Sequence, residues 1–394
     1  MEKNHPVRVA VVTKEWPPTV YGGAGVHVVQ LSQALRKLAN LEVQVHCFGG
    51  ARTDGSFGYE TPSEFSDANP ALQAIATDLA IARNLGDADI IHSHTWYANM
   101  AGHVASLLYG TPHIVSAHSL EPLRPWKSEQ LGGGYQISSW AEKTAYESAD
   151  AIIAVSDGMR GDVLRAYPDV DPTKVVTIRN GVDTNRFAPN SDSSVLEEFG
   201  ITGRYAMFVG RITRQKGLAH LLRAWRDVPH EYGLVLAAGS PDEPAIGAEV
   251  AELIAELQST RSNVWWIKEM LPHEKLTAAL THADLFLCPS IYEPLGIVNL
   301  EAMGCETAVL ASRVGGIPEV VAHTQTGELV DYTENDIPAF EASLSAAISR
   351  LMGNPELLMQ YGTAGRARAQ SEFGWEAVAA STLALYQSVI EKRR

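Results

Sequence analysis

Two pairs of charged residues have types and spacings that could do chemistry. Arg211 follows the apolar run YAMFVG, and Lys216 lies five positions on, within VGRITRQKG. Two cations at the end of a buried strand, beside a helix N-terminus, can bind a diphosphate and neutralise it as it departs. That arrangement does the electrostatic work of a metal without one. The plainer alternative is a surface Arg and Lys, of which the chain has many. The second pair is Glu293 and Glu301 in SIYEPLGIVNLEAM. Helical spacing sets them about 12 Å apart. An acid/base pair working one bond sits closer, at roughly 5–9.5 Å. The spacing suits two acceptors gripping different hydroxyls of one extended ligand. A solvated Glu293 and a Glu301 favoured by the helix dipole would explain the same residues.

The elements that must position these groups alternate in type. Val7–Thr13 (VRVAVVT) is a continuous apolar run, as in a strand buried on both faces. A glycine-rich turn, KEWPPTVYGGAG, leads to an amphipathic helix expected over 26–38. Backbone N–H groups near Gly22 and Gly23 can face an anion or a sugar hydroxyl, because glycine clears the approach. The turn is neither GxGxxG nor a Walker loop, and most such turns are only turns. Strands LEVQVHCF, ADIIHSH, PHIVSAH, ADAIIAVS and KVVTIRN follow, separated by helices. A second series starts near Gly203 with strands RYAMFVG, YGLVLAAGS, NVWWI, ADLFLCPS and TAVLAS. The expected fold class is α/β: two Rossmann-like domains, 1–185 and 200–372, each with a parallel sheet, facing a central cleft. Ligands bind at the carboxyl ends of such strands, where Gly22, Gly23, Gly25, His94, His118 and Ser156 fall. His118 either satisfies a backbone carbonyl at the sheet edge or faces the ligand.

Composition narrows the partners. The chain has 394 residues, 45% of them hydrophobic, and a net charge of −15. Such a charge disfavours nucleic acid as a partner. No apolar stretch reaches membrane-spanning length and no leader is evident, so the expected location is the cytoplasm, with no membrane partner. Cys47, Cys288 and Cys305 lack paired spacing, which argues against a disulfide framework or a thiolate metal site. Asp87-Ala88-Asp89 precedes its strand and reads as a solvated turn rather than a metal motif. His92 and His94 share one strand face, His103 and His113 lie elsewhere, and nothing supplies a third ligand. No metal and no cofactor are expected.

Gly22-Gly23 after the first strand, Arg211 with Lys216, and Glu293-x7-Glu301 together resemble the retaining glycosyltransferases of the GT4 family, which have the GT-B fold. TKEWPPTVYGGAGVHV, HSLEPLRPWKSEQLGGGYQISSWAEKTA and GRITRQKG resemble more narrowly the actinobacterial-type, ADP-glucose-dependent glycogen synthases, a group that includes α-maltose-1-phosphate synthases. The resemblance covers nearly the whole chain. It implies that Arg211 and Lys216 hold the donor diphosphate and that Glu301 takes the ribose hydroxyls. Glu293, with the backbone of Pro294, Leu295 and Gly296, would sit by the glucose ring. Gly22 and Gly23 would approach the diphosphate from the other domain, and His118 the glucose. The base would lie against Ile267 to Leu271, Met270 included. Polymer-forming synthases open the first loop with Lys-Thr-Gly-Gly, whereas Val20 stands at the lysine position here.

The implied reaction is retaining transfer of α-glucose from ADP-glucose to the 4-hydroxyl of glucose-1-phosphate, of an α-1,4-glucan, or of both. A phosphorylated acceptor needs a cationic site, and Lys14, Arg124 and Lys127 are the candidates; solvated loop charges would also explain Arg124 and Lys127. The resemblance also implies a helix, 373–394, that crosses back to the first domain. A homodimer is the one protein partner considered. The other readings are a GT4 enzyme with a different donor or acceptor, a UDP-sugar 2-epimerase of the same architecture, and a non-catalytic sugar-binding protein.

Overall fold

The computed structural model describes residues 5–20, 22–124, 127–128 and 132–393. Tyr21 and part of the loop 118–140, which bear on the subgroup resemblance, lie outside the described residues. The chain divides into two compact units, Met1–Gly181 with Trp375–Arg394, and Val182–Gly374.

The first unit holds a seven-stranded parallel sheet built from β1 (Val7–Thr13), β2 (Leu41–Phe48), β3 (Phe57–Tyr59), β4 (Ile90–His94), β5 (His113–Ala117), β6 (Ala151–Ala154) and β7 (Val175–Thr177). Their spatial order is β3-β2-β1-β4-β5-β6-β7. Side chains alternate across a strand, and β1 shows why its run is continuously apolar. Val9 and Val11 pack in one layer with Val28, Leu31, Ala379 and Tyr386 from the helices Gly23–Leu35 and Trp375–Arg393. Ala10 and Val12 pack in the opposite layer with Ile81, Ala98 and Ala101 from Pro70–Ala82 and Trp96–Tyr109. The last helix thus belongs to the first unit's core.

The second unit has a six-stranded parallel sheet: β8 (Tyr205–Ile212), β9 (Gly233–Pro241), β10 (Val264–Ile267), β11 (Leu285–Cys288), β12 (Ala308–Ser312) and β13 (Gly327–Val330). The order is β10-β9-β8-β11-β12-β13. Helix Leu218–Trp225 seals one face through Leu218, Leu221, Leu222 and Trp225, all at 1% exposure or less.

Several elements depart from expectation. β3 and β13 were not anticipated, and the first helix starts at Gly23 rather than Val26. Among the described residues, no helix is long and apolar enough to cross a membrane.

Candidate active site

Each sheet reverses its strand order once, at β1/β4 and at β8/β11. In a doubly wound sheet the loops beyond such a reversal diverge and leave a crevice for a ligand. Arg211 and Lys216 lie at the end of β8, and Glu293 follows β11. The glycine turn follows β1, His94 ends β4, and His118 follows the neighbouring β5.

In the second unit, two glycines let three turns close on one another. Gly217 has φ +65°, and a Cβ there would sit 2.0 Å from the Pro289 carbonyl oxygen. Gly315 has φ +52°, and a Cβ there would sit 2.0 Å from the Glu293 carbonyl oxygen. Only glycine tolerates both the conformation and the approach. Backbone bonds fasten the turns: Ile291 N–H donates to Gln215 at 2.8 Å, and Gly316 N–H to Glu293 at 3.0 Å. Lys216 and Glu293, distant in sequence, are thereby held face to face.

The Lys216 ammonium donates to Glu293 Oε2 at 2.6 Å, and Ser290 Oγ donates to the same oxygen at 3.3 Å. Burial works against the lysine charge, but the Glu293 carboxylate outweighs it and holds Lys216 more basic than an ordinary lysine. Arg211 lies close enough to Lys216 to act on it as a like charge. Arg211 Nη1 donates to Asp242 Oδ1 and Oδ2 at 2.8 and 3.0 Å, and Arg214 pairs with Glu243 at 3.0 Å. Glu301 lies in the helix Ile297–Gly304. Burial raises its carboxyl to about 7, against the opposing pull of Lys216 and Arg186. Leu295 is 1% exposed, so its side chain is core and only its backbone can meet a ligand; Met270, beyond β10, is 82% exposed. Two cations and two carboxylates can take a diphosphate on one side and hydroxyls on the other.

In the first unit, Glu15 occupies the glycine turn. Its Oε2 accepts the Gly22 N–H at 2.8 Å, and a Cβ on Gly25 would sit 2.5 Å from that oxygen. The backbone donor expected to face an anion thus faces a carboxylate of the chain itself, while Gly23 is exposed. Lys14 is half-buried with its ammonium 3.7 Å from the Tyr97 ring centroid, and burial lowers its basicity. Arg124 donates to the fully buried Glu121, whose other oxygen accepts from Ser138 at 2.8 Å. Arg124 is therefore the counter-ion of a buried acid, whatever else it meets. Lys127 is half-buried, and its N–H donates to the Arg124 carbonyl at 2.9 Å. Ser156 caps the helix Asp157–Ala166 by accepting from Met159 N–H at 2.8 Å.

His118 meets His94 edge to edge, Nε2 to Nδ1, at 3.0 Å. Both are held well below the usual histidine basicity by burial and by neighbouring imidazoles. A third imidazole, absent from the strand-based reading, comes from His27 on the first helix. One nitrogen from each of His27, His94 and His118 lies within 4.8 Å of the others. His27 escaped the sequence reading because its helix meets β4 and β5 only in three dimensions. Asp242, Glu243 and Glu15 were missed for the same reason; the run PDEP at the end of β9 was the one available signal for the first two.

Among solved structures, a sucrose-phosphate synthase from Thermosynechococcus elongatus has a TM-score of 0.80 to this chain at 22% identity, covering 98% of this chain and 100% of its own. That likeness defines the fold as GT-B, the two-domain architecture of a large class of glycosyltransferases. Residues 21–186 match the family described as Glycosyltransferase Family 4, and residues 197–368 match Glycosyl transferases group 1. The chain belongs to glycosyltransferase family 4, and its chemistry is glycosyl transfer rather than epimerisation. An alpha-maltose-1-phosphate synthase of Mycolicibacterium smegmatis (strain ATCC 700084 / mc(2)155) is 53% identical over 388 residues, 97% of this chain and 100% of that one. The alpha-maltose-1-phosphate synthase of Mycobacterium tuberculosis (strain ATCC 25618 / H37Rv) is 50% identical over the same shares.

Proposed function

We propose that this enzyme transfers α-glucose from ADP-glucose to the 4-hydroxyl of glucose-1-phosphate, releasing ADP and forming α-maltose-1-phosphate with retention. An α-1,4-glucan is the second acceptor to test. The observation that carries the reading is the convergence of Arg211, Lys216 and Glu293 at the strand reversal of the second sheet. It is supported by the alpha-maltose-1-phosphate synthases at 53% and 50% identity, which match over 97% of this chain.

Bond breaking at the anomeric carbon leaves negative charge on the diphosphate. Arg211 and Lys216 receive that charge, and fixed cations in a low-dielectric site lower the barrier most where charge develops. The Lys216 ammonium has three N–H donors, so it can keep Glu293 and still bond a phosphate oxygen. Glu293 accepts from glucose hydroxyls and Glu301 from the ribose. The departing phosphate oxygen takes the proton of the incoming 4-hydroxyl, so no side chain has to serve as nucleophile.

The test pairs ADP-glucose or UDP-glucose with glucose-1-phosphate or glycogen and identifies products by mass. The reading expects ADP release that depends on glucose-1-phosphate, with one hexose added to it. Donor breakdown indifferent to acceptor, or transfer only from UDP-glucose, would overturn it.

A further inference from the structure

The His27–His94–His118 group has more than its place near the strand reversal to account for. His27 is 2% exposed and His94 is fully buried, while His118 is half-buried. His94 Nε2 and both His27 nitrogens have no hydrogen-bond partner among the described residues. Asn180 lies close enough to influence His27 as a hydrogen-bonding neighbour, but the contact falls outside good geometry and its Oδ1 lacks a partner too. A buried polar atom left unsatisfied costs about 1–3 kcal/mol, and such atoms in folded proteins call for a role or a bound species.

The chemistry of the donors says which species. Burial, with neighbouring imidazoles, keeps His94 and His118 well below ordinary histidine basicity, and burial holds His27 at about 4. Each offers one imidazole nitrogen within 4.8 Å of the others, and neutral imidazole is the ligating form. The group contains no carboxylate, so it is unsuited to Mg2+ or Ca2+, which take oxygen ligands. Imidazole suits Zn2+, Cu2+ and Ni2+. A sugar hydroxyl could satisfy half-buried His118, but it leaves the nearly inaccessible His27 unexplained.

We propose that His27, His94 and His118 form a three-imidazole site for a borderline divalent transition metal, with Zn2+ as its probe. Three histidines leave the fourth tetrahedral position to water. A small adjustment on metal binding would let the neighbouring Asn180 Oδ1 accept the remaining N–H of His27, the outer bond that a ligating histidine usually makes. If His118 meets the glucose, as the family resemblance implies, occupancy takes its ring away from the sugar and the metal inhibits transfer; this last consequence rests on that reading and on the proposed function, whereas metal binding does not.

The test titrates Zn2+ into the metal-stripped full chain without any sugar present. One equivalent is expected, and His27→Gln and His94→Gln should each weaken binding at least about tenfold, with folding checked by circular dichroism. Zinc-edge X-ray absorption of the loaded wild-type chain should show three imidazole nitrogens at about 2.0–2.1 Å. That measurement decides even where a buried substitution prevents folding. Less than one equivalent, a carboxylate- or thiolate-rich shell, or unchanged binding in folded variants would overturn the proposal.

Discussion

Glu301 offers the most quantitative handle on the donor site. Its carboxyl is raised from the ordinary 4.5 to about 7 by burial, although one edge of the residue still meets solvent. In the native chain it therefore holds a proton that the unfolded chain has lost between pH 4.5 and 7. Stability falls as pH rises through that window, by about 3 kcal/mol at most given the solvent-facing edge. Donor binding should reverse the preference. On the proposed reading two ribose hydroxyls donate to Glu301, which would favour the carboxylate, and a bound value near the ordinary one would mean release of roughly 0.7 proton at pH 6.5 and under about 0.1 at pH 8. The same linkage weakens donor binding about tenfold between pH 8 and pH 6. ADP-glucose is the right probe, since its diphosphate does not titrate in this range. Calorimetry in buffers of differing ionisation enthalpy reads the proton count directly. In Glu301→Gln the release should vanish, donor binding should weaken, and the chain should gain stability at pH 8. Buffer-independent heats in the wild type, or the same proton release in the Gln variant, would refute the reasoning.

Other substitutions test the remaining contacts. Lys216→Met strands the nearly buried Glu293 without its cation and should cost about 3–5 kcal/mol in urea unfolding; adding Glu293→Gln should recover most of that stability, but turnover should stay at least about a hundredfold down. Asp242 and Arg211 are partly exposed, so Asp242→Asn should change stability by less than about 1 kcal/mol. It should tighten donor binding by up to about fivefold by freeing Arg211, and weaker binding would mean that Asp242 orients the arginine instead. Arg124→Gln should destabilise the chain by about 3 kcal/mol by leaving buried Glu121 unpaired. Lys127→Gln should instead raise the KM for glucose-1-phosphate with stability unchanged, and unaltered acceptor kinetics would remove Lys127 from the acceptor site.

What could be seen in the sequence follows from the range of the interactions involved. Buried parallel strands are written as apolar runs, so β1, β4, β8 and β11 were legible, and with them the strand ends that carry His94, Arg211 and Glu293. β3 is three residues long and β13 four, too short for a pattern to stand out. The separation of Glu293 from Glu301 was read along one helix, but the helix begins only at Ile297 and Glu293 sits in the turn before it, clasped by Gly315 and Gly316. Contacts between distant elements were illegible altogether: Glu15 folded back on its glycine turn, Asp242 against Arg211, and His27 against His94 each depend on tertiary packing that no local spacing records.

The central claim is that Arg211 and Lys216 receive the charge of the departing nucleotide. A crystal structure of the chain with bound ADP tests it most directly. The account predicts β-phosphate oxygens within about 3.2 Å of both the Arg211 guanidinium and the Lys216 ammonium. A diphosphate seated away from both side chains, or held through a divalent ion with neither in contact, would contradict it.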